Sequence, residues 1–379
     1  MTMRELTYQV SFNTPAFLGN AEQQAQWRTP PFKALLRQWW RVVKAPQLER
    51  PFNVDDLRTA ENLLFGAASD DGAQQSHRSL VRLRLTKDNS GGIGWEDGAM
   101  KQWPVGGGTV THPEVKFPVG SDLYLGFGPI EYDKTSKSAK LGESKSSGLK
   151  RTAIDDKAKA SLRLMFPTVH QADLSSALQL AAWFGTLGSR SRNGWGALQL
   201  LPNADNPVAP IPLTRSGLES LAVTRPLTRC LLEDWPHAIG QDRHGPLVWR
   251  TRINGDWRQV MRELARIKIE FRTQPSLSLH GVAPGAFSAR HLLAYPVTNH
   301  SVNGADEWGG KGRLANQIRF KLLREGNQLF GVIVHLPCRL PTAMAAALPP
   351  QVRSGIDTLQ LQVWQDVHAM LDQHATRLV

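Results

Sequence analysis

Cysteine is nearly absent from this sequence: Cys230 and Cys338 are its only two. That excludes a disulfide framework and a Cys-rich zinc site, and it fits a reducing, cytoplasmic setting. Long apolar runs are lacking as well. No stretch reaches bilayer length and the opening MTMRELTYQV has no signal-peptide core, so no membrane association is expected. GxxxxGK[ST], GxSxG, HExxH and Cys/His ligand spacings are missing, which removes the P-loop, the hydrolase elbow and the usual zinc sites. Neither a metal nor a cofactor is expected. Acidic residues are outnumbered, 33 against 45 Lys and Arg, leaving a net charge of +12 in 379 residues. The balance favours a polyanionic partner, most simply nucleic acid, although solubility or an acidic protein would also account for it. Tyrosine is scarce at four while tryptophan reaches twelve. Several tryptophans adjoin Arg or Gly, where a ring can stack on a base or simply fill a core.

What is present falls into two halves. Leu6–Phe12 alternates as a strand with one buried face. Pro30 and Pro31 open a helix in which Phe32, Leu35, Leu36, Trp39, Trp40 and Val43 form an apolar stripe. Lys33, Arg37, Arg41 and Lys44 form a second stripe of one sign, read either as a solvated face or as a row of phosphate contacts. A shorter helix follows from Asn53 to Phe65, with Asn53 as N-cap and Gly66 as its stop. Strands are expected at Leu80–Leu85, Asp122–Phe127, Ser161–Phe166 and Gly196–Leu201, and a helix capped by Asp173 at Asp173–Phe184. The Lys-rich segment 131–151 reads as a mobile loop. Without insertions the order is strand, helix, strand, strand, helix, strand, the βαββαβ order of a ferredoxin-like fold. The proline-spaced 202–212 reads as a linker, so domains are expected at 1–201 and 213–379. In the second half, helices are expected at Arg215–Val223, Asp256–Phe271 and Gln351–Leu378, with a hairpin about Glu325-Gly326-Asn327. A degraded second copy of the first domain would fit, but no sequence repeat shows it.

Gly185–Gly196, GTLGSRSRNGWG, packs four glycines and two arginines into twelve residues. Such a loop can be a helix C-cap with an ordinary turn, or a cradle whose N–H groups and guanidinium forks hold phosphate. Gly188, Arg190, Arg192, Gly194, Trp195 and Gly196 are its candidate RNA contacts, with Trp195 either stacking or buried. Arg28, Lys311 and Arg313 are further candidates. His77 and His112, in polar loops near basic residues, are the candidates for acid/base cleavage of RNA. The pairs Asp55-Asp56, Asp70-Asp71 and Asp155-Asp156 are of a commonplace kind.

TPAFLGN (14–20), followed by WRTPPFKALLRQWWR (27–41), ENLLFG (61–66) and GSRSRNGWG (188–196), stands in the order of motifs seen in the CRISPR-associated RAMP superfamily. The chain most resembles the family of subunit one of the type III-B Cmr effector complex. Asn20 departs from that family's usual second glycine, and the second half matches only through RLANQIRFK (313–321). The resemblance implies α+β architecture with two ferredoxin-like domains of the RNA-recognition (RRM) type. It also implies a non-catalytic subunit that holds the 3′ region of the guide RNA and the facing 5′ part of the target RNA, beside other RAMP subunits. A guide-processing endoribonuclease and a purely structural subunit are the alternatives.

Overall fold

Leu6, Tyr8 and Val10 start the chain on an alternating strand, and the computed structural model builds a four-stranded antiparallel sheet on it. The structure describes residues 2–48, 53–68, 76–87, 108–202, 211–303, 306–309 and 312–378. In the first half lie β1 (Met3–Phe12), α1 (Thr29–Lys44), α2 (Val54–Phe65), β2 (Arg82–Lys87), β3 (Ile130–Asp133), β4 (Ser138–Leu141), β5 (Ala160–Pro167), α3 (Gln171–Phe184) and β6 (Leu198–Leu201). The sheet runs β2-β5-β1-β6, with Leu6 opposite Leu164, Tyr8 opposite Leu162 and Val10 opposite Leu200. Its buried face receives α1 and α3: Trp39 is fully buried and meets the Phe184 ring at 5.6 Å, and Trp40 meets Phe65 edge-on at 5.6 Å. The apolar stripe of α1 is thus core, as its spacing requires.

The second half contains β7 (Val248–Gly255), α4 (Trp257–Thr273), β8 (Ile318–Glu325), β9 (Gln328–His335), α5 (Ile356–His374) and β10 (Thr376–Arg377). Its sheet runs β8-β9-β7-β10. Both halves therefore place four strands in the order second, third, first, fourth. A three-stranded sheet, in which Ile239–Asp242 pairs parallel with Thr224–Pro226, precedes β7. α4 carries a reciprocal cap, Gln259 N donating to Asp256 Oδ1 at 2.9 Å and Asp256 N to Gln259 Oε1 at 3.0 Å.

The chain forms two compact units, Met1–Pro104 with Gly126–Val223 and Lys321–Asn327, and Val105–Leu125 with Thr224–Phe320 and Gln328–Val379. Their limits differ from 1–201 and 213–379, because each unit includes a segment from the other half of the sequence. Most of the linker 202–212 lies outside the described residues.

Several elements differ from the sequence reading. Ser121–Gly126 is a short helix, not a strand; a run of six residues satisfies either period. Segment 131–151 contains the β3–β4 hairpin, held by the buried anchors Ile130 and Leu141, with Asp133 accepting from Thr135 N at 3.0 Å to shape the turn. The C-terminal helix is shorter than Gln351–Leu378, and its last residues form β10.

Candidate functional site

Thr14 and the glycines of 185–196 fold two distant motifs into one feature of the first unit. Thr14 Oγ1 donates to Gly194 O at 2.7 Å and accepts from Ala197 N at 3.0 Å. Ser189 N donates to Phe17 O at 2.9 Å, and Gly196 N to Pro15 O at 3.0 Å. The contacts need glycine. Gly188 has φ +96° and a Cβ there would stand 2.6 Å from Phe17 O; at Gly196, with φ +64°, it would stand 2.0 Å from Leu187 O.

This changes the reading of the loop. Its amides at Leu187, Ser189, Asn193, Gly194 and Gly196 donate to protein carbonyls, so at those positions no bare N–H row faces a phosphate. Gly188, Gly194 and Gly196 build the loop. Trp195 is fully buried, its ring 5.1 Å from Phe17, and cannot stack on a base from that position. A ring flanked by glycines gave no sign of which way it turns.

Arg190 is the loop's exposed cation, held at φ +58°. A Cβ on Gly128 would lie 3.5 Å from its Nη2. Partial covering of the guanidinium by its surroundings and then the like charge of Arg151 lower its pKa. Arg192 is half-buried on the same loop. Between the Phe17–Asn20 turn, the start of α1, the hairpin base and the loop opens a cavity of about 290 Å³, lined by Arg28, Arg151, Gln23, Thr152, Gly188 and Ser189 among others. Arg151, Gln23 and Thr152 were not foreseen. Arg151 ended a lysine-rich segment in which no single cation stood out.

The basic stripe of α1 has another environment. Glu61, from ENLLFG, is buried and accepts from Arg37 Nε at 2.6 Å and Arg41 Nη2 at 2.7 Å, with Arg41 Nε on its other oxygen. Burial raises the Glu61 pKa, but the hydrogen bonds and charge of Arg41 and then Arg37 outweigh it and hold the carboxyl below its ordinary value. Lys44 Nζ donates to Gln47 Oε1 at 2.6 Å and lies 3.5 Å from Asp173 Oδ2. Asp173 sits in the first turn of α3, not at its cap. Lys33 is half-buried, and burial and then Arg37 lower its pKa. Two motifs that looked like separate signatures thus meet in one clasp.

Lys321, in RLANQIRFK, is fully buried and donates to the carbonyls of Ala182 (3.0 Å), Gly185 (2.7 Å) and Leu198 (2.5 Å), with Ala181 at 3.3 Å. It caps the carbonyl end of α3, directly before the glycine loop. Arg313 is exposed, with Nη1 donating to Gly312 O at 2.6 Å; Lys311 lies outside the described residues.

His77 and His112 fall in different units. His77 is exposed in a backbone bridge with Ala67. His112 is buried in the second unit near Tyr124 and the Glu114–Arg290 ion pair (2.5 Å). Burial is the main cause of its lowered pKa. Asp55 and Asp56 lie in the first turn of α2, and burial and then Asp155 push Asp156 up to about 6. Asp70-Asp71 lies outside the described residues. Among the described residues no three His, Cys, Asp or Glu side chains converge on a metal position, and no helix is long and apolar enough to cross a membrane.

No protein-family model matches the sequence, and no curated protein matches it. Among solved structures, apo Cmr1 from Pyrococcus furiosus matches 89% of this chain over 88% of its own, with a TM-score of 0.51 and 12% identity. The chain has the Cmr1 fold. A type III-B Cmr-beta complex bound to cognate target RNA holds a chain matched at TM-score 0.48 and 10% identity, over 97% of this chain and all of that one. The same kind of complex with target RNA and AMPPnP, in the presence of ssDNA, gives 0.44 and 12%, over 96% and 99%. The chain is similar to Cmr1 in fold and resembles the same family in its motifs.

Proposed function

We propose that this chain is a non-catalytic RNA-binding subunit of a type III, Cmr-type effector in the cytoplasm. It would hold the 3′ region of the guide RNA and the facing 5′ part of the target RNA, beside other RAMP subunits, in defence against invading nucleic acid. One observation carries the reading: the Phe17–Asn20 turn and the glycine loop line a single cavity, with Arg28 and Arg151 in its wall and Arg190 beside it. Among the described residues no carboxylate is paired with any of these three guanidiniums. Unpaired cations beside a cavity suit an RNA strand held by its phosphates, contacts that position the strand without reading sequence. The Cmr1 fold agrees with the effector assignment. The shared strand order of the two sheets supports two ferredoxin-like modules of the RNA-recognition type.

The test is incubation of the purified chain with end-labelled single-stranded RNA, followed by binding and product analysis. Intact RNA, bound with steep salt dependence, is expected. Cleavage lost in His77→Ala or His112→Ala would make the chain an endoribonuclease instead. No binding, alone or in the assembled effector, would leave a purely structural subunit.

A further inference from the structure

The cavity beside the glycine loop is larger than a phosphate needs. Its volume, about 290 Å³, stands near the lower end of organic-ligand pockets, roughly 300 Å³ and upward. Its lining is mixed: Phe17, Leu18, Pro31 and Pro129 supply apolar surface, and Asn20 and Gln23 supply amide groups that can both donate and accept. A site for phosphate alone requires no apolar wall.

Two observations show that the fold leaves this place unfinished. Gln23 Oε1 and Arg151 Nε are buried and lack hydrogen-bond partners, a condition that destabilises the free protein. Gln23 is also held at φ +63°, and Arg190, next to the lining residue Ser189, at φ +58°. Backbone strain of this kind in non-glycine residues gathers at ligand sites. Arg190 and Arg151 moreover feel each other's charge, and a phosphate between them would offset that repulsion.

Building on the RNA-binding reading above, we infer that this cavity receives one unstacked nucleotide of the bound RNA. Its base is held among Gln23, Asn20 and the apolar wall, and its phosphate rests on Arg151 and Arg190. Unstacked bases are the usual object of single-strand RNA recognition, through their hydrogen-bonding edges and apolar faces. Gln23 and Arg151 then gain the partners the free protein denies them.

The experiment walks a single abasic site along a single-stranded RNA and measures affinity for the wild-type chain, Gln23→Gly and Arg151→Ala. Glycine tolerates the positive φ, so Gln23→Gly removes the amide without disturbing the backbone. One abasic position is expected to weaken wild-type binding roughly tenfold, the scale of a single base interaction, and to weaken Gln23→Gly clearly less, since only Asn20 and the apolar wall then hold the base. Arg151→Ala should weaken every oligonucleotide alike. Tight binding insensitive to abasic sites, or wild-type behaviour in Gln23→Gly, overturns the nucleotide pocket while the RNA-binding reading stands. A parallel titration with nucleoside monophosphates separates the two ideas. Gln23-dependent binding of a monophosphate without RNA binding would keep the pocket and sink the RNA reading; absence of both would sink both.

Discussion

The first helix and the glycine loop carry the same charge in opposite circumstances. Arg37 and Arg41 point at Glu61, a carboxylate supplied by a neighbouring helix and buried beneath them. Arg190 and Arg151 lie near each other with no carboxylate paired among the described residues. A guanidinium already bonded to an internal anion tightens the fold, and one left with a like charge for a neighbour attracts a partner from outside. Residue type and spacing leave both the helix and the loop open as phosphate contacts; the location of the counter-charge separates them.

The largest effect expected of any change around this contrast is on the loop's scaffold. Gly196→Ala puts a methyl group 2.0 Å from Leu187 O at φ +64°. It should cost about 3 kcal/mol or more, and a urea melt would show it. Wild-type stability in that variant would mean the loop is not built as described. Lys321→Met strips the carbonyl end of α3 of its ammonium and should cost about 3 kcal/mol, since several buried acceptors lose their donor.

Next in size is Glu61→Ala. Loss of a buried ion-pair partner costs about 3–5 kcal/mol, but the guanidiniums remain 35% and 40% exposed, so about 2 kcal/mol is expected here. The same variant releases two cations and should strengthen RNA binding modestly, which anisotropy would register. Weaker RNA binding by a folded Glu61→Ala would instead implicate the clasp in holding RNA.

The smallest effect is on pH dependence. Glu61 is held below its ordinary value of 4.5, so the folded state binds fewer protons than the unfolded chain between the two values. The clasp's stabilisation is therefore complete above about pH 4.5 and is lost as pH falls through the lower folded value. Melts of wild type and Glu61→Gln should converge in that acid range and separate above it.

Much of the first unit was legible because its segments obey simple periods. The α1 stripe, the Asn53 cap and the alternation of β1 and β5 each rest on residues close in sequence. What failed rests on distance or irregularity. Glu61 stands 24 residues from Arg37 and 20 from Arg41, so nothing local announces the clasp. β7 went unread because its pairing with β9 shifts register between Arg250 and Asn254, which breaks the alternation that would mark a strand. Trp195 went unresolved because glycines on either side permit either orientation. Of the site, Arg28 and Arg190 came from motif and charge; Arg151 and Gln23 needed the cavity to single them out.

The contrast between helix and loop is tested most directly by the salt dependence of RNA affinity in four single variants, Arg151→Ala, Arg190→Ala, Arg37→Ala and Arg41→Ala. Removing one cation that holds a phosphate should reduce the slope of log K against log[salt] by about one. The account predicts that reduction for Arg151→Ala and Arg190→Ala, with wild-type slopes for Arg37→Ala and Arg41→Ala. Reduced slopes for the helix variants and unchanged ones for the loop variants would contradict it.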